Sequence, residues 1–289
     1  MNKEEEFLKI INSTLEDNSY LGDDCAYLTE ENLCVSTDAL VEDVHFSTKY
    51  MNPSQIARKA LLVNISDAIA SGAKLKYITI SLCGKLTNKF VEEFYKEVDK
   101  MAKTFDFKVI GGDLTKAEKI FINITVFAST KNRNISSRAN AKVGYVVATV
   151  GEFGSSIKGL EELQQGKKES YFIEKHFNPT LYPAVADKIS KIKGKYALMD
   201  SSDGLVDCLF QISKRSKVKI EIEYDKIIHK TQNKDYVLFG GEDYCLVGCF
   251  DFDEIKDIKE LNVIGKVSGG FGVYMDGKEL EYGGFNHFE

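Results

Sequence analysis

The informative residues of this 289-residue chain are its acids, and what marks them is where they fall. Asp23 and Asp24 follow Gly22, Asp38 closes the run Ser36-Thr37-Asp38 after an apolar segment, and Asp113 follows Gly111-Gly112. Asp67 lies inside Val63-Asn-Ile-Ser-Asp67, in text that otherwise reads as an apolar helix. Asp200 and Asp203 bracket Ser201-Ser202 just before Gly204, and Glu242-Asp243 follow Gly240-Gly241. A solvated face scatters its acids among lysines, whereas these stand beside glycine or serine or within apolar text. An unpaired carboxylate in apolar surroundings costs roughly several kcal/mol, so Asp67 calls for a neutralising partner. Oxygen ligands without a Cys or His cluster point to Mg²⁺ or Ca²⁺ rather than zinc, and the EF-hand spacing is absent. Mg²⁺ is held by a few carboxylates together with substrate phosphates, which lets its ligands lie far apart in sequence. Ions that neutralise a transferred phosphoryl group are a standard part of that chemistry. Gly111-Gly112 lets backbone N–H groups approach a phosphate closely. The chain has no G-x-x-x-x-G-K-[ST] loop and no protein-kinase signature set, so ATP use falls outside those families.

Two acids also have plainer readings. Asp203 before Gly204-Leu205 fits a helix N-cap, and Asp113 after two glycines fits a turn.

The elements that must position these residues follow from periodicity. A helix is expected over 3–16, with Phe7, Leu8, Ile11 and Leu15 on one face. A strand over 33–37 ends at the Ser-Thr-Asp run, and Pro53-Ser54 opens a long helix that Gly72 ends. Strand 77–83, helix 89–103, strand 109–110 running into the glycine pair, and strand 120–129 complete the first half. After the polar, basic stretch 131–138 a new strand begins at 143–150. Helices are expected at 156–166, 181–193 and 204–216, and strands at 196–199, 218–223, 244–250, 263–267 and 273–275. Segment 225–236 reads as a loop. Alternating helices and strands give an α/β or α+β fold, and the change in texture places a domain boundary near 140, separating 1–139 from 140–289.

Composition agrees. Apolar residues make up 43% and charged residues 28%, and no apolar run approaches the ~20 residues that span a bilayer. The net charge of −6 offers no basic surface for nucleic acid. The acidic start Met-Asn-Lys-Glu-Glu-Glu is neither a signal nor a transit peptide. Six scattered cysteines without a C-x-x-C pair suit buried thiols in a reducing cytoplasm.

Seven motifs in order resemble thiamine-monophosphate kinases, a family of the aminoimidazole ribonucleotide synthetase-like superfamily. They are Leu21-Gly-Asp-Asp-Cys-Ala26; Ser36-Thr-Asp-Ala-Leu-Val41 with His45-Phe46; Val63-Asn-Ile-Ser-Asp67 with Gly72-Ala73; Ile110-Gly-Gly-Asp113; Asp200-Ser-Ser-Asp-Gly-Leu205; Phe239-Gly-Gly-Glu-Asp-Tyr244; and Gly284-Phe-Asn-His-Phe288. The resemblance implies a two-domain architecture of mixed sheets flanked by helices, with a homodimer formed through the N-terminal domains. It implies ATP-dependent phosphorylation of thiamine monophosphate to thiamine diphosphate, directly and in line, assisted by several Mg²⁺ ions. By position it implies Asp24, Ser36, Thr37, Asp38, Asp67, Asp113, Asp200 and Asp203 as metal ligands, with Asp24, Asp67, Asp113 and Asp203 at the reaction centre. Gly112, Asp113, Arg138, Ser202 and Tyr95 fall on the ATP side, and His45, Glu242 and Phe285 on the thiamine-phosphate side. Arg138 can pair with phosphate and Phe285 can face an aromatic cation. Plainer roles stand beside these: a solvated loop residue for Arg138, a core anchor for Phe285, a structural histidine for His45, and packing for Tyr95. The sequence departs from the family pattern at Ser201 and at Leu114.

Two other readings remain. One is a superfamily relative that uses ATP on another substrate, such as an aminoimidazole ribonucleotide synthetase-like enzyme; the other is a non-catalytic metal- or nucleotide-binding module. The selenophosphate enzyme is disfavoured because Cys25 follows the Asp pair, and the hydrogenase-maturation factor because the chain ends His-Phe-Glu.

Overall fold

The computed structural model describes residues 3–283. The first half runs α1 (Lys3–Thr14), β1 (Ala26–Leu28), β2 (Leu33–Val41), α2 (Pro53–Ala70), β3 (Lys74–Cys83), α3 (Asn88–Phe105), β4 (Lys108–Thr115) and β5 (Phe121–Ser129). The second runs β6 (Val146–Val150), α4 (Ser155–Gln164), α5 (Tyr171–Phe177), α6 (Pro183–Ile189), β7 (Ala197–Asp200), α7 (Leu205–Ser216), β8 (Lys219–Ile222), α8 (Lys234–Phe239), β9 (Leu246–Phe250), α9 (Phe252–Ile255), β10 (Asn262–Ser268), β11 (Val273–Met275) and β12 (Lys278–Glu279). Strands β1–β5 form one sheet in the order β1-β2-β5-β3-β4, and β6–β12 a second in the order β12-β11-β8-β10-β6-β9-β7. Both are mixed: β3/β4 and β11/β8 pair in parallel and the rest antiparallel. The parallel β3/β4 pair needs a crossover, which α3 supplies. Among the described residues no helix is long and apolar enough to cross a membrane.

Helix α2 is the structural centre. Asn52 caps it, accepting from Gln55 N while the Gln55 side chain accepts from Asn52 N, and Pro53 supplies the first-turn φ. It is buried almost all round because it lies between the first sheet and elements of the second half, and one hydrophobic cluster runs from Ile56, Leu61 and Ile65 to Ile173, Phe177 and Tyr196. Strand β5 shows the period-two burial expected of it, with Ile122, Ile124, Val126 and Ala128 inside.

The structure corrects several expectations. Strand β2 does not stop at Thr37, because Ala39-Leu40-Val41 continue the ladder with β5 out to Phe121; Asp38 is therefore mid-strand. Strand β4 likewise runs through Gly111 and Gly112, so Asp113 lies in a strand rather than a turn. A Cβ on Gly112 would collide with the Ile80 backbone, so strand pairing alone requires glycine there. Segment 225–236 contains the start of α8, whose N-cap is Asn233. Helix α5 was not anticipated, and the helix expected over 181–193 shortens to α6. The apolar face of α1 stays exposed, with Leu8 and Ile11 about half accessible.

Candidate active site

A cleft of about 730 Å³ opens between the two halves, and its wall brings together Asp24, Asp38, Asp67, Asp200 and Asp203. Each arrives on a different support: the segment before β1, mid-β2, the last turn of α2, the end of β7 and the turn into α7. Asn64 fixes one of these joints, since its side chain donates to Ala60 O and accepts from Asp38 N at 2.9 Å, which locks β2 onto α2. The turn holding Ser202 and Asp203 is held against the Gly240-Gly241 turn. Glu242 N donates to Ser202 O at 2.7 Å, and a Cβ on Gly241 would press on that same carbonyl. The cap of α7 is Gly204 with no side-chain hydrogen bond, so Asp203 does not serve as the N-cap.

The electrostatics are those of crowded acids. Burial, then repulsion from Asp38, Asp200 and Asp24, pushes the Asp67 carboxyl well above the usual carboxylate range. Burial and Asp24 push Asp200 up to about 7, and burial with Asp24 raises Asp38. Asp24 is also raised by burial, against the pull of the Arg138 guanidinium 2.8 Å away. Ser36 Oγ and Asp200 Oδ2 are buried with no hydrogen-bond partner among the described residues. Unpartnered oxygens beside mutually repelling carboxylates fit a divalent cation. Among the described residues no three Asp, Glu, His or Cys side chains are gathered so that they could hold a metal ion by themselves.

The wall also includes the apolar Leu40, Val44, Ile157, Leu160 and Phe239, together with Asp235, His45 and Glu242. His45 Nδ1 accepts from Val41 N at 3.1 Å. Glu242 meets the buried Lys59 ammonium at 3.1 Å. Burial opposes its charge, but the Lys59 ammonium outweighs it and holds the carboxyl below its usual value.

Other expected residues lie elsewhere. Strand alternation turns Thr37 to the face opposite Ser36 and Asp38, and its hydroxyl bonds Ile124 O, away from the cleft. Tyr95 packs edge-on against Phe94 beside the first core and does not line the cleft. Gly112 and Asp113 sit on the exposed strand β4. Ladder pairs run Asp38–Ile124–Ile80–Gly112 across three strand spacings, so this level of β4 is roughly 14 Å from Asp38. Of the departures, Ser201 is buried and accepts from Cys245 N, and Leu114 is 62% exposed on β4. Phe285 and the motif 284–288 lie outside the described residues.

Sequence reasoning missed five positioning residues. Asp23 accepts from Arg138 N and Ser137 Oγ, so of two adjacent acids on the cleft wall one also caps the turn at Arg138. Asp243 points away from the cleft and accepts from Gly154 N and Ser156 N, capping α4 in place of its own side-chain cap. Asn64, Lys59 and His176 are the others. Polar residues within the apolar text of α2 were the available signal for Lys59 and Asn64; for His176 there was none.

The family described as AIR synthase related protein, N-terminal domain, matches residues 22–130. Thiamine-monophosphate kinase of Aquifex aeolicus is 35% identical over 97% of this chain and 96% of its own length. That of Bacillus subtilis is 35% identical over 83% and 80%. The solved structure of AaThiL complexed with AMPPCP and TMP superposes with a TM-score of 0.91 at 34% identity, covering 100% of this chain and 99% of that one. E. coli HypE, a hydrogenase maturation protein, has the same fold with a TM-score of 0.71 at 17% identity, covering 97% of each chain.

Proposed function

The chain belongs to the thiamine-monophosphate kinase family, and from that premise we propose that its cleft carries out direct, in-line, Mg²⁺-assisted transfer of the ATP γ-phosphoryl group to thiamine monophosphate. It is an ATP-dependent kinase that makes thiamine diphosphate. The observation that carries the Mg²⁺ reading is the set of carboxylates from both halves whose proton affinities raise one another on a shared wall. Asp24, Asp38, Asp67, Asp200 and Asp203 would hold Mg²⁺, with Ser36 Oγ beside them. The ions supply charge neutralisation for the polyphosphate and the transferred group.

The protein's own part is positioning. Arg138, anchored through its backbone by Asp23, presents a guanidinium at the acid wall, where it can turn from Asp24 to a phosphate oxygen. Ser202 offers a short donor on the Asp200–Asp203 turn. Glu242 and His45 sit with the apolar wall, which suits an organic ring rather than a phosphate. Asp67 and Lys59 stand eight residues apart on α2, about 12 Å, so Asp67 and the Lys59–Glu242 pair are held at a set distance by one rigid helix.

Further expectations belong to the same reading. The boundary near 140 is supported by the sheets, since each draws its strands from one side of it. A homodimer through the first sheet is supported by β4, an edge strand with all eight residues exposed, Ile110 and Leu114 among them, which invites pairing. Gly112 and Asp113 would then lie at the joint. A cytoplasmic location accords with six free cysteines, five of them buried.

Incubation with ATP, Mg²⁺ and thiamine monophosphate is the test. Thiamine diphosphate with stoichiometric ADP is expected. ATP and metal binding without product would favour a binding module, and ADP formed only with another acceptor would favour a superfamily relative.

A further inference from the structure

Lys59 is fully buried in α2, yet it is a cation: its ammonium meets Glu242 Oε2 at 3.1 Å and His176 Nε2 at 3.4 Å. An ammonium only donates, so His176 Nε2 accepts and the ring proton sits on Nδ1, 3.0 Å from Ser156 Oγ. Burial, then the Lys59 charge, push the His176 pKa down to about 3, so the imidazole is neutral near pH 7. Glu242 is the anion paired with Lys59 among the described residues.

The two charges are not equivalent. Lys59 has no exposure, while the Glu242 side chain keeps 28% and lines the cleft. Glu242 also holds a left-handed backbone, φ 63°, an arrangement that fixes where its side chain leaves the chain. A pair needed only for stability would gain nothing from leaving its acid open to the cleft, and an apolar pair of the same volume would serve as well. The arrangement instead fixes a carboxylate from beneath and leaves its outer side free. Other groups that bear on Glu242 are His45 and Tyr50 from the segment after β2, and Tyr244 two residues on.

We propose that Lys59 and His176 are positioning residues that hold the Glu242 carboxylate ready for the cationic heteroaromatic ring of the phosphoryl acceptor, at a set distance along α2 from Asp67. The inference rests on the reading of Glu242 as a substrate contact. It also makes the acceptor end depend on apposition of the two halves, because Lys59 reaches from α2 to residues of α5 and the 240–244 turn.

The test compares Lys59→Met, Lys59→Arg, Glu242→Gln and the double variant Lys59→Met/Glu242→Gln by steady-state kinetics. Lys59→Met should raise the KM for thiamine monophosphate about tenfold or more while the ATP KM moves less than about threefold. That KM should also rise more steeply than in wild type as pH falls from about 8 to 6, because Glu242 without Lys59 takes up a proton more readily. Lys59→Arg should restore part of the affinity. In the Glu242→Gln background, Lys59→Met should change the KM less than about twofold, because its effect passes through Glu242. The double variant carries no buried charge, so this comparison holds if Lys59→Met alone fails to fold. Equal shifts in both KM values, a pH dependence no steeper than that of wild type, or a full additional effect in the Glu242→Gln background would overturn the proposal. An unchanged acceptor KM in Glu242→Gln would instead overturn the reading of Glu242 itself, and the proposal with it.

Discussion

Arg138 donates from its guanidinium to Asp24 Oδ1 across 2.8 Å, joining the segment before β1 to the short turn at the boundary between the halves. The Asp24 side chain is 5% exposed, so this cation is what offsets its burial. Replacing Arg138 by Gln should raise the KM for ATP about tenfold or more. Leaving Asp24 without its partner should also lower stability by about 2 kcal/mol or more. ATP titrations and denaturant melts check the two effects separately, and an unchanged ATP KM would remove Arg138 from the nucleotide side.

Asp67→Asn should reduce turnover by roughly a thousandfold or more, because on the proposed reading it removes a metal-binding carboxyl from the acid wall while keeping the shape. The fold should survive, and stability should hold or rise by about 1 kcal/mol, since Asp38, Asp200 and Asp24 already repel this carboxylate. Near wild-type turnover in a folded Asp67→Asn protein would sink the metal-wall reading.

His176 predicts a specific acid sensitivity. Its folded pKa lies at about 3 against 6.5 for the free side chain, so the unfolded chain binds the extra proton between those values. Stability from this group is complete above pH 6.5 and is lost as pH falls through that window, by roughly 3 kcal/mol at about pH 4. The raised carboxyls contribute with the opposite sign, so the readout is the difference between wild type and His176→Gln across pH 4–7. A difference that does not change with pH would count against a buried neutral histidine.

Strand β4 gives a solution test of assembly. Ile110→Lys/Leu114→Lys places two cations on the exposed edge and should convert a dimer to a monomer in sedimentation or light scattering. A wild-type monomer, or a double variant with dimer mass, would rule out self-association through that edge.

Much of the fold was legible because periodicity carries it. Helix α2 was bounded by Pro53 and Gly72, and β5 by its alternation, since each rule concerns neighbours along one chain. Errors came where a partner decides the outcome. Strand β2 runs past Asp38 because β5 is there to pair with it, and Gly111-Gly112 lie in a strand because β3 lies alongside. Short α5 and α8 rest on the caps Ser170 and Asn233 and on packing, which leave little trace in a window of six or seven residues.

What the sequence determined by itself was which residues stand out: acids placed beside glycine and serine, and a family resemblance running through seven ordered motifs. Which acids share a wall was decided only in three dimensions. Asp24 and Asp23 are adjacent yet face different tasks; Thr37 is turned away from Asp38 by one residue of strand; Asp113 is carried to the sheet edge by three strand spacings. Lys59, Glu242 and His176 are far apart in sequence and meet only when α2 packs against the second half. A residue's type sets what it can bond, but side-chain direction and depth depend on the elements packed around it, and these come from both ends of the chain.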